Sequence, residues 1–373
     1  MISFDPVQTQ PAVWNRLVRI HQCGKAGSAY LFGGPPGSAK EALAIEFAKL
    51  LNCESSGDRS CNECPSCRRI QALQHENLTL VFPLPKEGAS SAGDDPLRGL
   101  SDKTLALINS EIEIKARDPF HKIALPRANT IPINAIRELR RTAYLKTALS
   151  GRRAILIFDA HLLSTGEGAS ANALLKILEE PPPATTFILV SDHKGSLPPT
   201  ILSRCQQVDF PPLADRYIAG QIAGADPDLI AGLAAGNLHL ARKLTNQQPA
   251  EIRQRTDSLV RQVLQRDGAG WRSFITSQSR LAGADPEEYN FNFYLLQIWF
   301  RAAYRQRLGV DDPLHAGGLG AQMEQLNQAN PAIDYPGINN AVAEATAALA
   351  NNYYIPLTLI NFLTTIQRRM RGR

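Results

Sequence analysis

The chain has no apolar run that approaches the length of a membrane span. The longest runs, such as Ala154–Phe158 and Phe187–Val190, fall far short of the ~20 residues a spanning helix needs. Met1-Ile2-Ser3-Phe4-Asp5 lacks a basic-then-apolar leader, so a soluble, cytoplasmic protein is expected. A large charge excess is missing too: 40 basic against 35 acidic residues leave +5 over 373 residues. So small an excess permits a nucleic-acid partner without implying one. No repeat with a period of roughly 20–50 residues is seen, which argues against a solenoid. Cysteines scattered in pairs, as in a secreted disulfide domain, are also absent: of six, four crowd into residues 53–67. What the chain does have is 44 % hydrophobic residues, enough for real cores. Its length suggests two or three domains at roughly 150 residues each.

Four stretches follow one another. Up to about residue 84, apolar runs alternate with Gly/Pro turns around the cysteine cluster. Pro85–Pro96 (PKEGASSAGDDP) has almost no apolar side chain to bury and reads as an insertion or mobile loop. From about 130 to 212, strands and helices alternate. Ala154–Phe158 and Phe187–Val190 are wholly apolar, as in parallel strands buried on both faces. Between them Ala171, Leu174, Leu175 and Leu178 fall on one helical stripe, which Pro181-Pro182-Pro183 ends. Alternation of this kind implies an α/β domain with a parallel sheet. Past 213 only helical spacing remains. Tyr294, Leu295, Ile298, Trp299 and Ala302 mark one apolar face, and Leu357, Leu359, Ile360, Leu363 and Ile366 another; both read as helical-bundle core.

Tyr30-Leu31-Phe32 runs into Gly33-Gly34-Pro35-Pro36-Gly37-Ser38-Ala39-Lys40-Glu41, and a helical pattern follows from Ala42 to Leu51. Strand, glycine-rich turn, lysine and helix make the context of a P-loop, whose backbone N–H groups and lysine hold phosphates. Two positions depart from it. Ala39 replaces the glycine before the lysine and hinders close backbone approach. Glu41 replaces the Ser/Thr whose hydroxyl holds Mg²⁺. An active ATPase of this class also ends a buried strand in Asp-Glu. Here Phe158 stands at the metal-binding Asp and Asp159 at the water-orienting Glu. Phosphoryl transfer rests on positioning and charge stabilisation, so these losses should be severe. Whether ATP or ADP is still bound stays open.

Cys53-x₇-Cys61-x₂-Cys64-x₂-Cys67 offers four thiolates, suited to a tetrahedral Zn²⁺ with every corner filled and hence structural; an iron–sulfur cluster also takes four cysteines. Cys205 and Cys23 read as buried small hydrophobes. Arg137, Arg140, Arg141, Lys146, Arg152 and Arg153 make a basic region. Ile133, Ile136, Leu139 and Ala143 give its helix an apolar face, and Pro132 suits the first turn. The basic tail Arg368–Arg373 reads as a frayed terminus.

The run Asn172–Pro182 (NALLKILEEPP), followed by Leu197–Cys205 (LPPTILSRC), resembles the bacterial clamp-loader subunits of the DNA polymerase III holoenzyme. The resemblance covers most of residues 4–245. Residues 250–373 share only helical character with that family's collar. It implies an AAA+-like α/β domain over 1–212, with a zinc module at 53–67 and an insertion near 85–125 of no assigned role. A helical lid over 213–249 and a collar over 250–373 would follow. The damaged loop and strand end favour the delta-prime type, which does not hydrolyse ATP by itself, over the hydrolysing motor. His239, in Gly236-Asn237-Leu238-His239, stands where motor subunits carry a nucleotide-sensing arginine, and an ordinary helix residue is the simpler reading of it alone. The Ser203-Arg204-Cys205 motif resembles the family's arginine finger, offered in trans to a neighbour's ATP. Implied partners are motor subunits, a clamp-opening subunit, the sliding clamp and primer–template DNA, in a hetero-oligomer with no membrane. Two rivals are an unusual motor ATPase and a stand-alone zinc nucleic-acid-binding module.

Overall fold

The computed structural model describes the chain except for residues 1–4, 56, 88–94, 146–149, 166–167, 223, 225, 316–318 and 372–373. Gly88–Asp94 of the low-complexity segment, Lys146 of the basic region and the last two tail residues therefore lie outside the described residues. Two compact units make up the chain. One holds residues 3–213 with Asn237–His239, and the other holds Ala214–Gly236 and Leu240–Arg373.

Five parallel strands form the sheet of the first unit: β1 Ala29–Gly33, β2 Leu78–Val81, β3 Arg153–Ile157, β4 Thr185–Ser191 and β5 Gln206–Asp209. Their order is β2-β3-β4-β1-β5. Every residue of β1 and β4 is buried, as the unbroken apolar runs require. Register is fixed by pairs such as Tyr30 with Ile188, Ile155 with Phe187 and Leu80 with Leu156. On one face the helix Ala169–Glu179 buries Ala171, Leu174, Ile177 and Leu178 against the sheet, with Leu175 at the margin. A fully buried Leu or Ile contributes about 1.5–3 kcal/mol, so this stripe anchors the helix. The helix Ile133–Ala143 packs Ile136, Leu139 and Ala143 into the same core. Pro132 caps that helix rather than opening its first turn.

The helix Lys40–Asn52 follows β1 and is buried nearly all round. A helix that the sequence reading did not anticipate, Asp102–Arg117, lies in the segment left without a role. Ser101 caps it by accepting from the Thr104 N–H. Because β1, β3 and β4 are adjacent and parallel, the residues that leave their carboxyl ends converge. In open α/β sheets that edge is where ligands bind.

The second unit is helical throughout among the described residues. Its long helix Pro286–Arg307 buries Leu295, Ile298, Trp299 and Ala302. Phe274, Phe293 and Phe362 pack ring on ring, with Phe293 and Phe362 centroids 5.3 Å apart. Tyr294 donates to the Leu233 carbonyl at 2.6 Å, tying the helix Pro227–Ala234 to the bundle. In the helix Ile355–Met370, Leu359, Leu363 and Ile366 are buried, but Leu357 and Ile360 are exposed. The expected stripe was too wide: at about 100° per residue, Leu357 and Ile360 turn away from the buried three. Among the described residues no helix is long and apolar enough to cross a membrane.

Candidate functional site

The glycine-rich loop folds as the P-loop spacing predicts, but its groups are already engaged. Lys40 is 4 % exposed. Its ammonium donates to the Gly34 carbonyl at 2.9 Å, the Pro35 carbonyl at 2.5 Å and Ser38 Oγ at 3.1 Å, and pairs with Asp192 at 2.8 Å. Ser38 is fully buried and donates to the Pro35 carbonyl. Ala39 holds a left-handed φ of 67°, where a Cβ is strained. Gly34 and Gly37 are needed for a different reason from phosphate approach. A Cβ on Gly34 would meet the Phe210 carbonyl oxygen at 2.2 Å, and one on Gly37 would meet Asn237 Oδ1 at 2.0 Å. Residues 237–239 thus lie against the loop, with the Leu238 N–H donating to the Gly37 carbonyl at 3.1 Å.

Glu41, Phe158 and Asp159 are brought together as the sequence implied, and two lysines that sequence reasoning missed meet them. Lys115, from the helix Asp102–Arg117, is fully buried. It pairs with Glu41, donates to the His121 carbonyl at 2.5 Å and lies 5.0 Å from the centre of the Phe158 ring. Lys122 bridges Asp159 and Asp192, both at 2.8 Å. Asp192, directly after β4, was also missed. Burial alone would raise its pKa, but the Lys122 and Lys40 ammoniums overcome that and hold it at about 2. Burial likewise opposes the charge on Lys122, and Asp159 and Asp192 more than restore it, raising its pKa above the usual lysine range. Three ammoniums face three carboxylates.

His239 borders the same hollow. Burial lowers its pKa to about 4, so the ring is neutral near pH 7. The hollow itself, lined by the loop, Phe120, Lys122, Asp192 and His239, has a volume of about 20 Å³. That is near one water, whereas ligand pockets usually span about 300–1,000 Å³. A Mg²⁺-nucleotide does not fit these residues. Of the two positions expected from the sequence to hold the metal, Phe158 is an apolar ring and Glu41 is neutralised by the buried Lys115 ammonium.

The four cysteines do converge. Cys53, where the helix Lys40–Asn52 ends, meets Cys61, Cys64 and Cys67 with all four sulfurs within 4.8 Å of one another. Cys61 and Cys67 sulfurs are 3.9 Å apart, close to the ~3.8 Å edge of a tetrahedron with metal–sulfur bonds of about 2.3 Å. Backbone N–H groups of Cys61, Cys64 and Cys67 donate to the sulfurs of Cys53, Cys61 and Cys64 in turn. Backbone donors at Cys64 and Glu63 bring the Cys61 thiol down to about 6. The set can hold one metal ion. Cys205 is buried, its thiol pushed up to about 11 by desolvation. Cys23 is exposed, contrary to expectation, because it lies at the outer end of the helix Pro11–Gln22.

Arg204 follows the short turn of helix Pro199–Leu202 and stands apart from this hollow's lining. Its side chain is 34 % exposed; it donates to the Thr200 carbonyl at 2.9 Å and pairs with Glu179 at 2.6 Å. The basic region divides in two. Arg137, Arg140 and Arg141 are exposed. Arg152 instead binds Thr186 Oγ1 and the Gly27 and Thr185 carbonyls beside β4, and Arg153 the Thr142 and Leu145 carbonyls at the end of the helix Ile133–Ala143.

Residues 9–214 match the family described as DNA polymerase III, delta subunit. The chain belongs to that family. The clamp-loader resemblance seen in Asn172–Pro182 and Leu197–Cys205 is thereby borne out. The chain is 26 % identical over 312 residues to the DNA polymerase III subunit delta' of Bacillus subtilis, which covers 82 % of this chain and 80 % of that protein. It is 32 % identical over 256 residues to subunit tau of the same organism, over 65 % of this chain but only 37 % of tau. The delta' subunit of Escherichia coli is 27 % identical over 205 residues, covering 55 % of this chain and 48 % of that protein. This chain therefore spans less than half of two of these three relatives.

Proposed function

We propose that this chain is a delta-prime-like subunit of a clamp-loader assembly that loads the sliding clamp onto primed DNA. It does not hydrolyse ATP, and it supplies Arg204 to the nucleotide of an adjacent motor subunit. The observation that carries the reading is the Phe158 ring at the metal-binding position, with Glu41 beside it already paired to Lys115. The match along 80 % of the delta' relative supports the same reading. Arg204 is suited to the task because its guanidinium is part-exposed and its one ion pair is with a half-exposed carboxylate, Glu179, the other contact being the Thr200 carbonyl. A guanidinium forks onto phosphate oxygens and stabilises charge that spreads during transfer.

The accessory assignments follow from that reading. Zn²⁺ at Cys53, Cys61, Cys64 and Cys67 would brace the knuckle and leave no position open for catalysis. Arg137, Arg140 and Arg141 would meet the DNA backbone electrostatically and without sequence preference. Partners would be the motor subunits, the clamp-opening subunit, the clamp and primer–template DNA, in the cytoplasm. Residues 213–249 would act as a lid and 250–373 as the collar that joins the ring.

The 32 % identity to tau favours one rival, a motor ATPase. Steady-state ATP turnover of the purified chain, alone and mixed with a motor subunit, separates the two. The delta-prime reading expects no turnover alone and stimulation of the motor that Arg204→Ala abolishes. Turnover by the isolated chain that Lys40→Ala removes would establish the motor reading instead.

A further inference from the structure

The segment Asp102–Lys122 contains the least expected side chain in the molecule. Lys115 lies in phase with Leu105, Ile108 and Ile112 on the inward stripe of its helix, where an apolar residue would normally sit. A lysine is almost never fully buried without a partner. Here the partner is Glu41, the residue that follows the P-loop lysine, and the ammonium also faces the Phe158 ring. Seven residues on, Lys122 reaches Asp159 and Asp192 at the ends of β3 and β4. Both lysines therefore come from the same excursion of the chain. Both end on the acidic groups that edge the nucleotide hollow.

We propose that this segment is the resident ligand of the hollow, with Lys115 and Lys122 supplying as ammonium groups the positive charge that the Mg²⁺ accompanying a nucleotide would bring to these carboxylates. Charge balance supports it. Lys40, Lys115 and Lys122 meet Glu41, Asp159 and Asp192, so no net charge is left to attract a triphosphate. Volume supports it as well, since the segment's Pro119, Phe120 and Lys122 close on the loop and leave about 20 Å³ beside Lys40, Glu41 and Asp192. The segment would keep a P-loop fold rigid without any nucleotide. Exclusion is then a built property of this chain and does not depend on what Arg204 does.

The test uses the full chain with ATP and Mg²⁺ as probes. A ligand at about 100 times its Kd raises the unfolding temperature of a domain this size by several degrees. Millimolar ATP with Mg²⁺ is expected to move it by less than about 1 °C, within the error of such comparisons. A shift of several degrees that Lys40→Ala removes overturns the proposal. Amine labelling read by mass spectrometry gives an independent answer. Lys115 should stay unlabelled with or without ATP and Mg²⁺, and labelling of Lys122 should also be unchanged by them. Asp192→Asn should raise labelling of Lys122 by about tenfold, the gain in free amine for one pKa unit. Labelling of either lysine that rises on adding ATP, or that of Lys122 unmoved by Asp192→Asn, refutes the proposal. Stimulation of a motor subunit is a separate readout, so failure here leaves the Arg204 reading standing and failure there leaves this one.

Discussion

Replacing Lys115 by methionine keeps most of the buried stem and deletes the charge. Glu41, whose side chain is only 16 % exposed, then loses its partner, and the His121 carbonyl loses a donor. Removing one member of a buried ion pair costs about 3–5 kcal/mol, and the partial exposure of Glu41 puts the expected value near the lower end, about 3 kcal/mol. Loss of the ammonium from the Phe158 ring is included in that figure. Removing both members tells more. Glu41→Thr with Lys115→Met leaves no orphaned charge and should cost no more than about 1 kcal/mol, because a buried pair is often replaced at little net loss. Glu41→Thr alone strands the fully buried Lys115 ammonium and should cost about as much as the reciprocal change, so the double-mutant cycle should show a coupling of about 5 kcal/mol. Native-state hydrogen exchange of the β3 and β4 amides reads the opening free energy of the first unit and avoids assuming that both units unfold together. A cost for Lys115→Met below about 0.5 kcal/mol, or strict additivity in the cycle, would show that the lysine is not a structural member of the hollow.

Other expectations follow from single residues. Ala39→Gly relieves a Cβ at φ 67° and should stabilise the first unit by about 1 kcal/mol, seen as slower exchange of the same amides; destabilisation would contradict the strain. His239 has a folded pKa near 4 against 6.5 unfolded, so between these values the unfolded chain binds more protons and stability falls as pH drops. With allowance for its partial exposure the loss is about 2 kcal/mol. Urea titrations from pH 7 to pH 4.5 should show it, and His239→Gln should make the profile shallower in this window, with His21, His75 and His161, whose pKa values burial also lowers, keeping a residual slope. Asp192, held at about 2, weakens the fold only at still lower pH, so the two contributions separate. Zinc analysis of the purified chain should find one ion per molecule, and a strong chelator should expose residues 53–67 to protease. An unchanged cleavage pattern after metal removal would show that the knuckle stands without it.

Local signals in the sequence were enough for much of this architecture. The strands were legible because apolar runs such as Ala154–Ile157 leave a parallel strand little alternative. The P-loop and the cysteine knuckle were legible because short spacing alone places their atoms. Lys115 was not, since a charged residue in a polar-looking segment reads as solvated, and its partner Glu41 is 74 positions away. A lysine in phase with Leu105, Ile108 and Ile112 was the available clue. Asp192 offered a clue as well, as an acid directly after a buried parallel strand. Arg152 and Arg153 looked like surface charge because composition does not reveal which carbonyls a guanidinium will reach. Leu357 and Ile360 are the converse case, since apolar character alone does not say which side of a helix faces the core.

Arg204 carries the functional claim, and one comparison tests it. Steady-state ATP hydrolysis is measured for motor subunits assembled with the wild-type chain or with Arg204→Ala, with the isolated chain as the blank. A finger in trans contributes roughly 10³–10⁵ in rate, so the adjoining site should fall nearly silent in the variant while assembly is unaffected. Equal hydrolysis by the two assemblies would contradict the account.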